Sequence, residues 1–319
     1  VDTQADGALQ LRDIVINLYE YLQTVNLGAK GIADAWTSAQ CVSVNVLGDP
    51  IIDAYTYVEP LGMSKGYPVI NWQITDEVNY LGGAAKVALD CAHQCSRVTL
   101  GAPTPAVDAA RCIPSEMLFH DSTCLCDPWV TKRRICIDKQ VLFRTTEGRA
   151  ISYPHPATMP SATVTILSLF QGEFNIPKAE VRRLAGDGLL VVDCQNPETI
   201  KLYRNIDAVL FATEKELRDS GVARSSFKEV FLKNGPNGSM VDANFLPAFN
   251  RDPVDTIGSG DAYLAAAAIM LGYSRGMYHT AAIIGSIAAA IQCTKFGNGT
   301  VTRDEIDEVL NGVIELQRT

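Results

Sequence analysis

The sequence predicts an α/β protein with a doubly wound, mostly parallel sheet and helices on both faces, and three observations carry the prediction. Short continuous apolar runs recur along the chain, as strands covered on both faces require. Several are separated by helix-length segments, the pattern of crossover connections. Gly82-Gly83 and Gly258-Ser259-Gly260 each open a helical pattern, so ligands are expected at the carboxyl ends of the strands.

The elements follow in order. Leu9, Leu11, Ile14, Val15, Leu18 and Leu22 recur at near-helical spacing over residues 8–24, predicting an amphipathic helix, followed by a Gly/Ala-rich connector through Ser38. That helix either packs on the body of its own chain, the favoured reading, or docks a partner. Cys41 to Leu47 reads as a strand ending in Gly48-Asp49, and Gly82-Gly83 opens a helix striped by Val87, Ala88, Cys91, Ala92 and Cys95. Further strands are expected at Val98-Thr99-Leu100, Val164 to Ser168, Leu189 to Asp193, Ala208 to Phe211 and Glu229 to Leu232. Ala262 to Leu271 reads as a buried helix, and a second helix is expected from about Met277 to Cys293. Residues 55–80 and 129–147 break the rhythm and read as extended chain, the latter turning near Asp138-Lys139-Gln140 and together forming a small β-lid. In a strand, Lys132, Arg134 and Cys136 share one face. The organisation expected is a helical extension over residues 1–40 and one large domain over 41–319.

Composition narrows the function. A chain of 319 residues with 47% hydrophobic and 20% charged residues buries a substantial core. Its net charge of −9 argues against nucleic acid or an anionic membrane as partner and favours small ligands. The run from Ala262 to Tyr273 is too short to cross a bilayer. An odd count of nine cysteines reads as reduced thiols, hence a cytoplasmic protein. The close pairs Cys91/Cys95 and Cys124/Cys126 lack zinc-site spacing, so a metal there is not expected.

The stretch carrying most chemistry is Asp255-Thr256-Ile257-Gly258-Ser259-Gly260-Asp261. Two glycines flanking a serine bare backbone N–H groups at a helix start, where a transferring phosphate is favoured. A carboxylate on the first turn of the same helix has reason to meet an anion if it takes a proton from the nucleophile. Read blandly, the Asp is a cap and Gly-Ser-Gly a turn.

This stretch closely resembles the C-terminal signature of the ribokinase-like, or PfkB, family of carbohydrate kinases, and Gly82-Gly83-Ala84-Ala85-Lys86-Val87-Ala88 is similar to the family's N-terminal glycine motif. Gly48 to Tyr55 and Thr131-Lys132-Arg133-Arg134 look most like the kinase module of ADP-heptose synthases, which act on heptose 7-phosphate. The resemblance implies a ribokinase-like fold and ATP-dependent phosphorylation of a hydroxyl on a sugar or sugar phosphate. Asp261 is then the base, with the amides of Gly258, Ser259 and Gly260 as the anion hole. Asp53, Gly82, Gly83, Lys86, Lys132 and Arg134 serve the acceptor, and Thr256, Lys295 and Asn298 the nucleotide. Glu216 holds Mg²⁺ through water, the ion being needed to neutralise adjacent phosphates. Several of these residues also have plain structural readings: Glu216 as a solvated helix-face charge, Lys132 and Arg134 as a solvated strand face, Asn298 as a turn, and nearby Asp49 as a loop cap. Exposed lid edges suit a homodimer.

The chain also departs from the family. Lys86 replaces Asn in the glycine motif, where it meets either an anionic substrate or an internal partner such as Asp53 or Asp49. Thr213 replaces the Asn of Asn-x-x-Glu, Leu169-Phe170-Gln171-Gly172 replaces the heptose-kinase Asp-Tyr pattern, and Gly101 to Pro105 lacks the usual Gly-x-Asp turn. These departures leave a second expectation open: a catalytically degenerate relative that binds nucleotide or sugar as a scaffold or regulator.

Overall fold

The computed structural model describes residues 3–102, 117–121, 129–148, 156–169 and 176–318. Cys112, Cys124, Cys126, the Pro103 to Pro105 part of one divergent turn and the Phe170 to Gly172 part of the other lie outside the described residues.

The strands are β1 (Ser43–Gly48), β2 (Pro50–Met63), β3 (Ile70–Gly83), β4 (Arg97–Ala102), β5 (Met117–Asp121), β6 (Val130–Ile137) and β7 (Gln140–Glu147), then β8 (Val164–Leu169), β9 (Leu189–Cys194), β10 (Val209–Thr213), β11 (Glu229–Lys233), β12 (Ser239–Val241) and β13 (Asn244–Leu246). The α-helices among the described residues are α1 (Thr3–Thr24), α2 (Ala29–Ser38), α3 (Ala84–Ala92), α4 (Lys178–Ala185), α5 (Pro197–Tyr203), α6 (Glu214–Ser220), α7 (Ser259–Tyr273), α8 (Tyr278–Gln292) and α9 (Arg303–Arg318).

The main sheet has the order β13-β12-β11-β10-β9-β8-β1-β4-β5. It is parallel from β11 through β5, with β12 and β13 added antiparallel at one edge. The chain winds outward from β1 through β4 to β5, then returns to β8 beside β1 and winds the other way, so a ligand crevice is expected between β1 and β8. Strand residues alternate between two cores, which is why the runs read as continuously apolar. Val46, Ile166, Val191 and Phe211 pack towards α1, α2, α3, α7, α8 and α9. Their neighbours Leu47, Leu167, Val192 and Leu210 pack on the opposite face with Leu184, Ile200 and Leu217 of α4, α5 and α6.

The two extended segments make a separate four-stranded sheet of order β3-β2-β6-β7. Its β2 begins two residues after β1 ends, so the second sheet rises directly from the carboxyl edge of the first. Asp138, with φ of 49°, makes the turn between β6 and β7.

The first helix packs on α8 and α9 of its own chain. Ile14, Leu18 and Leu22 are fully buried in the same core as α7, α8 and α9. Arg303 clamps α2 from the start of α9: its guanidinium lies 4.0 Å from the Trp36 ring centroid and donates to the Trp36 carbonyl. Leu18→Ala therefore should lower global stability by about 2–5 kcal/mol. Urea denaturation checks this, and no change would mean that the helix is an independent appendage.

Candidate active site

Charged side chains gather where the parallel strands end. Asp193 lies at the end of β9, Thr213 ends β10 and Lys233 ends β11, beside the start of α7. Gly258 turns the chain into α7 with φ of 76° and ψ of −3°. A Cβ at that position would lie 1.9 Å from Asn298 Oδ1, so both the conformation and the space require glycine. No side chain caps the helix, so the positive end of its dipole faces the rim. The Ser259 hydroxyl donates to the Thr256 carbonyl at 2.8 Å.

Asp261 sits on the first turn of α7 with 9% of its surface exposed. Burial and the Asp193 carboxylate push its pKa up to about 7, against the pull of Lys233 and Lys86. A carboxyl titrating near neutrality suits a general base. Beside it, Thr256, Ser259, Gly260 and Lys233 line a cavity of about 590 Å³ whose far wall includes Phe249 and Cys293.

The acceptor-side residues are arranged differently from the sequence reading. Asp53 lies on β2, and both its oxygens are engaged. Oδ1 accepts from Arg134 at 2.6 Å and Oδ2 from Asn298 Nδ2 at 2.8 Å. Arg134 is thus a buried partner of Asp53, stacked 5.1 Å from the Tyr55 ring centroid, not a solvated strand charge. Lys132 is in register with Asp53, and Arg144 on β7 with Arg134. Burial lowers the Lys132 pKa; Asp53 and Asp261 oppose this, while Arg134 and Arg144 add to it. Asp53, Lys132, Arg134 and Arg144 thus occupy neighbouring register positions on β2, β6 and β7 of the four-stranded sheet. Gly82 and Gly83 hug the same region: a Cβ on Gly82 would lie 2.4 Å from Asp53 Oδ2, and one on Gly83 2.4 Å from the Asp49 carbonyl.

Three of the expected site residues have partners within the chain. Lys86 is completely buried, and its internal partner is Asp90, one turn along α3, in place of the Asp53 or Asp49 considered from the sequence. The i,i+4 spacing brings the pair together within the helix, and Asp90 is held in turn by the Val301 N–H at 3.1 Å. Asn298 hydrogen-bonds Asp53 and the Leu81 carbonyl and does not line the nucleotide-sized cavity. Lys295 is tied to Glu305 at 2.7 Å and to the Thr300 carbonyl.

Thr213 and Glu216 form a capping box at the start of α6: Glu216 Oε2 accepts from Thr213 N at 2.7 Å, and Thr213 Oγ1 from Glu216 N at 3.2 Å. The threonine thus serves helix geometry, and Glu216 is a capping residue rather than a solvated charge. Among the described residues no three His, Cys, Asp or Glu side chains group to hold an ion. Mg²⁺ arriving with a nucleotide needs only one or two carboxylates. Asp193 Oδ2, buried without a hydrogen-bond partner, is a fitting donor, with Glu216 on the first turn of α6, just after the neighbouring strand β10.

Sequence reading missed Asp193 and Lys233. Lys233 Nζ donates to Asp193 Oδ1 at 2.6 Å and lies 3.8 Å from where a Gly260 Cβ would be. The available signal was position: each is a charged residue at the carboxyl end of an apolar run.

This fold and site define a ribokinase-like α/β architecture. The archaeal nucleoside kinase of Methanocaldococcus jannaschii, described as a member of the ribokinase family, matches with a TM-score of 0.62 at 14% identity, covering 85% of this chain and 99% of that one. Arabidopsis thaliana ribokinase, solved with ribose and ATP, matches with a TM-score of 0.59 at 16% identity, covering 85% and 99%. In sequence, the bifunctional protein HldE of Nitrosococcus oceani is 24% identical over 314 residues, covering 86% of this chain and 65% of that protein. The chain thus spans slightly less than two thirds of the relative it matches. No family model matches the chain. The resemblance to ribokinase-like carbohydrate kinases, and among them to HldE, holds in fold and sequence.

Lys86→Met leaves Asp90 as an uncompensated buried charge and should cost about 3–5 kcal/mol of stability. Removing both charges in Lys86→Met/Asp90→Asn should recover much of that loss in the same denaturation assay; equal losses would mean that the ion pair contributes nothing.

Proposed function

We propose that this chain is an ATP-dependent carbohydrate kinase that phosphorylates a hydroxyl of a sugar or sugar phosphate, with an anionic, heptose 7-phosphate-like acceptor. The observation that carries the reading is Asp261, buried on the uncapped first turn of α7 beside a nucleotide-sized cavity. Asp261 takes the proton of the attacking hydroxyl. The amides of Gly258, Ser259 and Gly260 stabilise charge on the transferred phosphoryl group, and the common rigid helix start keeps nucleophile and phosphate in line. Mg²⁺, when bound with the nucleotide, neutralises adjacent phosphates, with Asp193 and Glu216 as its protein donors.

The cations Lys132, Arg134 and Arg144, in neighbouring register positions of β6 and β7, support an anionic acceptor, because they concentrate positive charge on that part of the lid sheet. Residues 1–40 act as a helical extension to a catalytic domain over 41–319, in a cytoplasmic protein; among the described residues no helix is long and apolar enough to cross a membrane. Leu61, Met63, Trp72, Ile74 and Phe143 leave an exposed apolar face on the β3-β2-β6-β7 sheet, which favours a homodimer through the lid. Trp72→Glu is expected to convert that dimer to monomer in light scattering, and a monomeric parent protein removes the dimer.

One observation favours a second reading, a non-catalytic nucleotide- or sugar-binding protein: both Asp53 oxygens are already occupied by Arg134 and Asn298. A panel of sugars and sugar phosphates with Mg-ATP separates the two. Acceptor-dependent ADP release that falls by about 10²–10⁴-fold in Asp261→Asn supports the kinase. Nucleotide binding with no turnover on any acceptor supports the alternative. Since the ionised carboxylate is the base and its pKa is near 7, kcat/KM should rise about tenfold per pH unit below 7 and level off above it. A flat profile from pH 5 to 8 removes Asp261 as the base.

A further inference from the structure

We infer that Asn17, on the N-terminal helix α1, is a positioning residue for the nucleotide-sized cavity: it holds residues 247–253, which form one wall, through a backbone carbonyl. The identity of the ligand rests on the kinase reading, and the brace does not.

Residues 247–253 run between β13 and α7 without helix or strand. Pro247 to Arg251 and Pro253 line the cavity, together with Thr256, Ser259 and Gly260. Such a segment takes its shape from whatever its backbone is tied to, because it has no ladder of its own. Among the described residues, no backbone-to-backbone hydrogen bond outside the helices and strands reaches residues 247–253. Two of its carbonyls are taken up instead by side chains of α1. Asn17 Nδ2 donates to the Phe249 carbonyl at 2.9 Å, and Gln10 Nε2 to that of Asp252 at 3.4 Å. The second bond is long and exposed, so Asn17 is the tighter tie.

Packing joins the same two pieces. The Tyr21 ring, one turn along α1 from Asn17, has its centroid 5.8 Å from that of Phe249, a residue only 1% exposed. The Tyr21 hydroxyl shares a hydrogen bond of 2.6 Å with His279 Nε2 on α8, which fixes α1 against the body of the chain. Asn250 adds a tie to α8 by donating to the Ala290 carbonyl at 3.3 Å. Asn17 does not line the cavity, so it acts on a ligand only through Phe249 and its neighbours. Without its amide, the wall has to be ordered when a nucleotide enters, a cost that falls on binding. The chemical step is spared, since Asp261 and the Gly258 turn lie at the start of α7, which Asn17 does not hydrogen-bond.

The test compares the parent chain with Asn17→Ala and Asn17→Gln by calorimetric titration with ADP, by the ATP dependence of turnover, and by tryptic cleavage after Arg251 read by mass spectrometry. The exposed Arg251 side chain makes that bond a reporter on the wall itself. Asn17→Ala should lower ADP affinity and raise the KM for ATP by roughly threefold to tenfold, with kcat and the acceptor KM unchanged. The same variant should be cut faster after Arg251, while its urea midpoint moves little. Asn17→Gln keeps an amide donor and should recover part of both effects. ADP affinity or cleavage equal to the parent's in Asn17→Ala overturns the inference and leaves the kinase reading intact. A joint fall in kcat and in affinity for both substrates that tracks the urea midpoint also overturns it, as general destabilisation. Weaker ADP binding with faster cleavage in a chain that phosphorylates no acceptor supports Asn17 and counts against the kinase alone. If the parent binds neither ATP nor ADP, the kinase reading fails and cleavage after Arg251 decides the brace: faster in Asn17→Ala supports it, unchanged overturns it.

Discussion

The buried side chain of Asn298 holds the site together. Its amide donates to Asp53 on the four-stranded sheet and to the Leu81 carbonyl, while its Oδ1 packs against the Gly258 turn. The second sheet, the α3 entry and the start of α7 therefore meet at one residue that is 2% exposed. The loop that presents it is pinned on other sides as well: Gly297 N donates to Asp255 Oδ2 at 3.1 Å, and the Gly297 carbonyl accepts from Gln292 at 3.0 Å. Asp255 also accepts from Tyr55, so the first carboxylate of the glycine motif staples lid and loop together, while the last, Asp261, lies on the first turn of α7. An amide side chain suits this junction because it donates to both a carboxylate and a carbonyl without bringing a charge into a crowded carboxylate site.

Around that junction the charges are arranged in pairs with Asp261 between them. Lys86 and Asp90 lie behind the Gly258 turn, Lys233 and Asp193 on the cavity side, and Arg134 with Asp53 on the lid. Pairing answers the desolvation cost that each buried charge would otherwise carry alone. Among the described residues Asp261 has no such ion-pair partner, and burial together with the Asp193 carboxylate raises its pKa. The fold thus leaves one carboxyl under-stabilised as an anion at the point where a proton acceptor is useful.

The fold was legible because a parallel sheet writes itself as continuous apolar runs, and Val164 to Leu169 or Leu189 to Cys194 admit few other readings. The helix start at Gly258 was legible because glycine chemistry is local. What could not be read were partnerships. Lys86 finds Asp90 four residues on, an ordinary helical spacing outweighed in the sequence reading by carboxylates in a conspicuous motif. Asp53 and Asn298 meet across 245 positions, and Lys233 and Asp193 across 40; no periodicity carries such information. Thr213 looked like a lost ligand although Thr-x-x-Glu is itself a helix-start signal, which the structure realises as a capping box.

The departures from the carbohydrate-kinase pattern divide by depth, and that division decides what each can do. Lys86 is enclosed on all sides, so its charge can act on Asp261 only as a fixed background field; bringing it to a ligand would mean opening α3 and leaving Asp90 unpaired. Lys233 carries the same charge at the cavity wall, where it pairs with Asp193 while part of its side chain stays exposed. The buried lysine therefore sets the field around Asp261 from within the fold, and Lys233 sets it from the cavity side. The lysine that departs from the glycine motif can therefore sit beside the Gly258 turn without disturbing the start of α7, because its charge is absorbed by a pair that closes on itself.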